Sequence, residues 1–163
     1  MLRRLKGLGV STEDLLDVYR KQILCISEYA APVWHSSITN LERMEIEIIQ
    51  KIAFNIILGG QYCSYSYALK TLGMDTLYRR WNKLCKKFAL KSVRNPKFSK
   101  WYRVNVKQSN TRNKQPRYCP VFSKTARFDK SPISYMTSIL NGLQWSITNP
   151  WLSRIMYIVQ SEL

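Results

Sequence analysis

The chain has 163 residues, 45% of them hydrophobic, so it is long enough to bury a core and is not disordered throughout. Its formal net charge is +16, from 26 basic and 10 acidic residues. No apolar run approaches the roughly 18 residues that a membrane-spanning helix needs, and the first residues lack the apolar core of a signal peptide. The expected localisation is therefore the nucleus or cytoplasm, with no membrane partner.

The first hundred residues carry the sequence signals of successive capped helices. Ser11 and Thr39 each stand three residues before an acid and precede apolar residues at helical spacing, which predicts two helices. Gly59 ends the second, because glycine adopts a left-handed cap conformation without steric cost. A short helix is predicted from Ser64, and a longer one follows it.

The longer helix, predicted from Thr76 to Asn95, separates apolar from basic residues. At about 100° per residue, an apolar stripe falls on one side. Its members are Leu77, Trp81, Leu84 and Phe88. The opposite side carries seven basic residues with no acid among them, which repel one another unless a polyanion is bound. These are Arg79, Arg80, Lys83, Lys86, Lys87, Lys91 and Arg94.

The whole charge surplus lies between Thr76 and Lys130. That segment has one acid, Asp129, and aromatic residues are interleaved with its basic ones. Such a combination is typical of surfaces that neutralise phosphates and stack on bases, although a solvated basic surface over an ordinary core is the alternative. The expected nucleic-acid contacts continue from the helix into the residues that follow it. They are Lys97, Lys100, Trp101, Arg103, Lys107, Arg112, Lys114 and Arg117.

The remainder of the chain is predicted to be irregular and then helical again. Residues 104–130 form a basic loop region, with a short strand around residues 118–123. Helical spacing returns at Ile133 and again after the start signal Asn149-Pro150. The predicted fold class is all-α: a helical domain over 1–103, the basic loop region over 104–130, and a C-terminal helical segment over 131–163.

No catalytic apparatus is evident in the sequence. The basic segment offers a single carboxylate, whereas two-metal phosphoryl chemistry needs at least two that converge. The four cysteines are scattered and His35 is the only histidine, so neither a metal site nor a cofactor is expected. No Ser-His-Asp arrangement follows from the spacing either. Catalytic residues are therefore predicted to be absent.

A series of short motifs runs in order through residues 1 to 141. The motifs are Glu28-Tyr-Ala-Ala-Pro-Val-Trp-His35, Leu41-Glu-Arg, Gln50-Lys51, Ile56-Ile-Leu-Gly59, Tyr62-x-Ser-Tyr65, Ala68-Leu69, Leu72-Gly73, Thr76-Leu77, Arg79-Arg80, Leu84-Cys85, Lys87-Phe88-Ala89, Asn95-Pro96-x-Phe98 and Pro132-Ile-Ser-Tyr-Met-Thr-Ser-Ile-Leu-Asn141. Their order and spacing resemble the segment that follows the polymerase palm in the non-LTR (LINE-type) retrotransposon reverse transcriptases, with the jockey-like and chicken-repeat-like clades most similar.

The resemblance implies that the chain is the helical thumb and C-terminal region of such an enzyme, which grips an RNA or RNA–DNA template–primer. It implies no polymerase activity for the chain alone, since the family's catalytic Asp-Asp turn lies in the palm and no such pair occurs here. Two alternatives remain open. The apolar faces of residues 12–58 are suited to a structural module that packs on a missing palm, and a co-opted small nucleic-acid-binding protein would share the same basic segment.

Overall fold

The computed structural model describes residues 1–105 and 117–148, with only the backbone of residues 144–148. The described chain is mostly helical, which confirms the predicted all-α class. Its α-helices are α1 Leu2–Gly7, α2 Thr12–Val18, α3 Cys25–Glu28, α4 Ala31–Trp34, α5 Asn40–Leu58, α6 Tyr65–Thr71, α7 Leu77–Arg94, α8 Pro96–Ser99, α9 Ala126–Asp129 and α10 Pro132–Thr148. The chain divides into two compact units, Met1–Leu84 and Cys85–Leu163, so that α7 contributes to both.

The predicted helix starts and stops in the first unit are confirmed. The Ser11 hydroxyl accepts a hydrogen bond from the backbone of Asp14 at 3.2 Å. At the start of α5 the Thr39 hydroxyl and the Glu42 carboxylate bond each other's backbone N–H groups, at 3.3 and 2.7 Å. Helix α5 ends at Gly59, whose φ is +57°. Short-range side-chain chemistry therefore sets these boundaries.

A π-helical turn over Tyr19–Leu24 joins α2 to α3, where the sequence predicted one uninterrupted α-helix. Tyr19 and Leu24 are both buried, although an α-helix would place residues five apart about 140° from each other. The wider turn brings both side chains to the core. The Tyr19 hydroxyl then reaches the Oε1 of buried Gln50 at 3.1 Å. Packing against α5 therefore overrides the local helical period.

The core of the first unit holds the amino-terminal half of α7. Leu77 and Trp81 are buried in that core, and Leu84 packs against it. The indole N–H of Trp81 donates to the backbone oxygen of Ser27 at 3.0 Å. The apolar stripe predicted for α7 is thus inward-facing here, and the opposite side of the helix faces solvent.

The second unit is built around the carboxy-terminal half of α7, α10 and the segments between them. Its buried cluster comprises Ala89, Tyr102, Tyr118, Met136 and Leu140, with Phe88 packed against them. The hydroxyl groups of Ser92 and Tyr102 lie 2.8 Å apart in the core. The side-chain amide of Asn141, on α10, bonds both the N–H and the carbonyl of Tyr118, at 3.1 and 3.0 Å. These contacts fix residues 102 and 118 against the helices.

The segment predicted as a basic loop has more regular structure than the sequence indicates. A single antiparallel bridge joins Val104 to Tyr118, whereas residues 119–123, where a strand was expected, form none. Helix α9 lies in the same segment, capped by the Thr125 hydroxyl. The helix predicted after Asn149-Pro150 lies outside the described residues. The three-part division into 1–103, 104–130 and 131–163 stays a prediction.

Candidate nucleic-acid interface

The described basic residues that the sequence predicted as contacts are exposed, except Arg80, which is half-buried. Arg79, Lys83, Lys86, Lys87, Lys91 and Arg94 lie along the solvent side of α7, and Lys97, Lys100, Trp101, Arg103 and Arg117 are exposed in the second unit. Lys107, Arg112 and Lys114 lie outside the described residues. The α7 face is therefore formed as predicted, with its cations in water.

Tertiary contacts pair two cations of α7 with acids. Arg80 forms an ion pair with Glu28, 52 residues away in the chain, and this hydrogen bond raises the pKa of the guanidinium. Lys83 Nζ lies 2.8 Å from Asp75 Oδ2. No acid lies among the seven cations on α7 itself, but Glu28 and Asp75, which lie outside this helix, offset the positive charge at these two positions. Unrelieved like-charge repulsion is therefore expected only among the other five, Arg79, Lys86, Lys87, Lys91 and Arg94.

Nearly all charged residues in the described part of the second unit are basic. Asp129 is its only acid. Its basic residues are Lys86, Lys87, Lys91, Arg94, Lys97, Lys100, Arg103, Arg117, Lys124, Arg127 and Lys130. A compact unit with so little compensating negative charge carries a field that attracts polyanions. The first unit differs, because acids accompany its cations: Asp17, for example, pairs with both Arg20 and Lys21.

Among the described side chains of the second unit, Trp101 is the one indole, and 43% of its surface is accessible. It lies two residues after the end of α8, next to Lys100 and two positions before Arg103. The Phe98 ring lies 4.8 Å from it, between centroids, at a tilt of 52°. An exposed aromatic face among cations is the arrangement that stacks on nucleobases.

One juxtaposition within this unit was missed from the sequence. The isolated bridge between Val104 and Tyr118 brings Arg103 and Arg117 onto two adjacent extended segments. Nothing in the local sequence around either arginine indicates this pairing, because it depends on a contact between segments 14 positions apart. A turn signal in the intervening residues would have been the cue, and none was recognised.

A second surface of the molecule is apolar and lies in the first unit. An open groove of about 700 Å³ runs between the π-helical turn, α3 and α5. Residues on its sides include Ile23, Ile26, Tyr29, Trp34 and Ile49. Next to it on α5, Ile48 and Ile52 are 47% and 50% exposed. These exposed side chains belong to the apolar faces predicted over residues 12–58, whereas Ile57 in the same range is buried in the core.

The titratable side chains His35 and Cys85 are both buried in the fold. His35 is enclosed by the rings of Trp34, Tyr78 and Trp81, and burial lowers its pKa. Burial raises the pKa of the Cys85 thiol to about 11, which makes it a poor nucleophile. Within the described ranges, no three potential ligands cluster as a metal site would require. No helix in that part of the chain is long and apolar enough to cross a membrane.

Comparison with known proteins found no matching protein family, curated protein or solved structure.

Proposed function

We propose that this chain binds nucleic acid through its second unit, as the non-catalytic thumb and C-terminal region of a non-LTR retrotransposon reverse transcriptase. One observation carries the binding proposal. The described second unit exposes a set of basic side chains with Asp129 as its single acid. The assignment to a reverse transcriptase is supported by the order and spacing of the sequence motifs in residues 1 to 141.

The chemistry of the surface favours contact with phosphates over recognition of sequence. Lysine and arginine on a helix face neutralise the backbone charge of any strand, whereas specificity requires bonds to base edges in a groove. The expected ligands are RNA and RNA–DNA duplex, bound largely without regard to sequence. Arg80 contributes least, because Glu28 already accepts its hydrogen bond.

A titration at several salt concentrations tests the binding proposal. If about six to ten phosphates are neutralised, affinity for an RNA–DNA duplex falls about 10³- to 10⁵-fold between 50 and 200 mM salt. The same duplex, given nucleotides and Mg²⁺, tests the non-catalytic assignment. Templated primer extension above a denatured-protein control contradicts the non-catalytic assignment. Absence of binding at the lowest salt concentration contradicts the binding proposal.

The apolar groove supports a second candidate, a structural module that packs on a polymerase palm. Ile26, Tyr29, Ile48 and Ile52 are all large apolar residues with about half or more of their surface exposed. Contiguous exposed apolar area on a monomer usually marks an interaction surface. In that case the cations of the second unit are incidental, and the isolated chain does not bind nucleic acid. A co-opted small binding protein, the third candidate, differs from the first in lacking a palm upstream.

A further inference from the structure

Trp101 is held by its neighbours while one side of its ring stays open to solvent. The Asn95 side chain caps the start of α8 by accepting from the Lys97 N–H at 3.0 Å. The backbone N–H of Trp101 donates to the Phe98 carbonyl at 3.0 Å, and the Phe98 ring packs beside the indole. The next residue, Tyr102, is buried, with its hydroxyl 2.8 Å from that of Ser92. The indole therefore projects from an ordered turn.

The bridge that follows Trp101 places the backbone positions of two arginines on one face. Asn105 N–H donates to the Arg117 carbonyl, and Cys119 N–H donates to the Arg103 carbonyl, both at 2.8 Å. In this register, Arg103 and Arg117 are diagonal neighbours, for which the Cα atoms are typically about 7–8 Å apart. Tyr118 is buried on the other face, so the backbone positions of both arginines are directed away from the core. The Arg117 side chain turns toward Tyr118, with its guanidinium carbon 5.8 Å from the centroid of that ring. Both arginines are exposed.

The indole and the arginine pair are close enough to contact one nucleotide. Trp101 and Arg103 are two positions apart, so their Cα atoms are separated by at most about 7 Å. An aromatic face stacks on any base, and a pair of guanidinium groups binds phosphate oxygens. Within a duplex the base faces are already stacked on their neighbours, so the indole can engage only an unpaired base.

We infer that Trp101, Arg103 and Arg117 form a site for one unpaired nucleotide of a single strand, in which the indole stacks on the base and the two guanidinium groups bind its phosphate. The inference rests on the proposed function and narrows its ligand to single-stranded nucleic acid at this position. Both stacking and phosphate binding are independent of the sugar, so DNA and RNA strands are bound alike.

Three probes separate stacking from charge: a ten-residue oligothymidylate, an abasic strand of the same length, and a blunt duplex. Trp101→Ala weakens binding of the oligothymidylate about 5- to 150-fold and leaves the other two unchanged. Trp101→Phe keeps most of the affinity, because it keeps an aromatic face. Phe128→Ala is the matched control, since that ring is 49% exposed in the same unit, and it changes none of the three.

The arginine pair is tested separately. Joint replacement of Arg103 and Arg117 by alanine weakens the base-bearing and abasic strands alike and lowers the salt slope by about 0.7 for each lost phosphate contact. An oligouridylate shows the same losses as the oligothymidylate in every variant.

Several outcomes overturn the inference. They are equal losses on base-bearing and abasic strands for Trp101→Ala, no loss on either, or a Trp101→Phe variant as weak as Trp101→Ala. Failure of the inference is distinguishable from failure of the proposed function. If the wild-type chain binds duplex with a steep salt slope and Trp101→Ala binds every probe as the wild type does, only the inferred single-strand site is contradicted. If the wild-type chain binds none of the probes, both the inferred site and the proposed function are contradicted.

Discussion

Gln50 is fully buried in the middle of α5, among apolar neighbours, and both ends of its amide are hydrogen-bonded. Its Oε1 accepts from the Tyr19 hydroxyl at 3.1 Å, and its Nε2 donates to the Asp75 carbonyl at 2.9 Å. A buried amide with both bonds satisfied is stabilising, whereas either bond lost leaves an unpaired polar group in the core. This side chain ties the π-helical turn to the residues that lead into α7. It therefore helps to position the helix that carries the cations.

His35 is expected to make the stability of the first unit depend on pH. In the unfolded chain its pKa is about 6.5, and burial, aided by the nearby Arg43 charge, lowers the pKa in the folded chain. The unfolded state then takes up the proton first. The free energy of unfolding is highest above about pH 6.5 and falls as the pH is lowered through that value, by at most about 1.4 kcal/mol per pH unit.

Urea unfolding midpoints at about pH 7.5 and about pH 5.5 measure this effect. His35→Gln is the control, because it removes the only histidine and keeps a hydrogen-bonding side chain. Its midpoint is expected to be insensitive to pH over this interval, whatever its absolute stability. Equal pH dependence in the wild type and the variant would contradict the assignment to His35.

The carboxy terminus of α5 is capped by a side chain from α1. Gly59 ends the helix with φ +57° and ψ −123°, a conformation that side-chain-bearing residues avoid. The ammonium group of Lys6, from α1, donates to the carbonyls of Ile56 and Ile57 in the last turn, the latter at 3.0 Å. A cation at this position complements the helix dipole and satisfies carbonyls that have no partner within the helix.

Gly59→Ala is expected to destabilise the chain by about 1–3 kcal/mol, because the new residue would be strained at positive φ. Its Cβ would also lie 2.5 Å from Lys6 Nζ and displace the capping ammonium. Gly60→Ala is the neighbouring control, since no atom lies within 4 Å of its added Cβ. Thermal or urea unfolding of both variants measures the difference. Equal stability of the two would mean that the cap contributes nothing.

Helix α7 carries a large part of the charge on which the proposed binding depends. Replacing Lys86, Lys87 and Lys91 by alanine is expected to leave the melting temperature unchanged, because all three are exposed. The same change flattens the salt dependence of binding by about 0.7–0.9 for each lost phosphate contact and weakens all sequences alike. Titrations at several salt concentrations, with thermal melts, measure both effects.

A double variant of the first unit is the matched control for charge. Arg20 and Lys21 are exposed cations that already share Asp17, so their replacement by alanine removes positive charge outside the candidate interface. Binding is expected to stay close to wild type. If this control and the α7 variant lose affinity equally, net charge alone accounts for binding and the α7 face has no special role.

The charge surplus and the apolar groove lie in different units. The described second unit is cationic, while the first exposes an apolar groove beside Ile48, Ile49 and Ile52 of α5. Apolar surface of this extent is costly in water unless another surface covers it. The proposed binding of a polyanion and the proposed packing on a partner therefore involve different units.

Ile48→Gln combined with Ile52→Gln is expected to reduce both the fluorescence of a hydrophobic dye and self-association measured by light scattering. Stability should change little, because neither side chain belongs to the buried core. Phe122→Gln is the control, as that ring is 82% exposed but lies in the second unit. A wild-type chain that is monomeric, does not bind the dye and melts sharply would mean that the apolar face needs no partner.

The sequence by itself determined the fold class, the starts of α2, α5 and α6, and the division of α7 into apolar and basic sides. These features depend on interactions within four or five residues: side-chain caps, glycine conformations and the helical period. Thr39 with Glu42, Ser64 and Gly59 are examples. The exposure of the cations on α7 was predictable for the same reason, since a cation opposite a buried apolar stripe faces water.

Only the tertiary structure decided which of those cations are free to bind and what stands beside them. The π-helical turn at Tyr19–Leu24 follows from packing on α5, and the pairing of Arg80 with Glu28 joins residues 52 positions apart. The same holds for the bridge that places Arg103 beside Arg117. Such contacts depend on which segments meet after folding, and no local periodicity or capping signal encodes that.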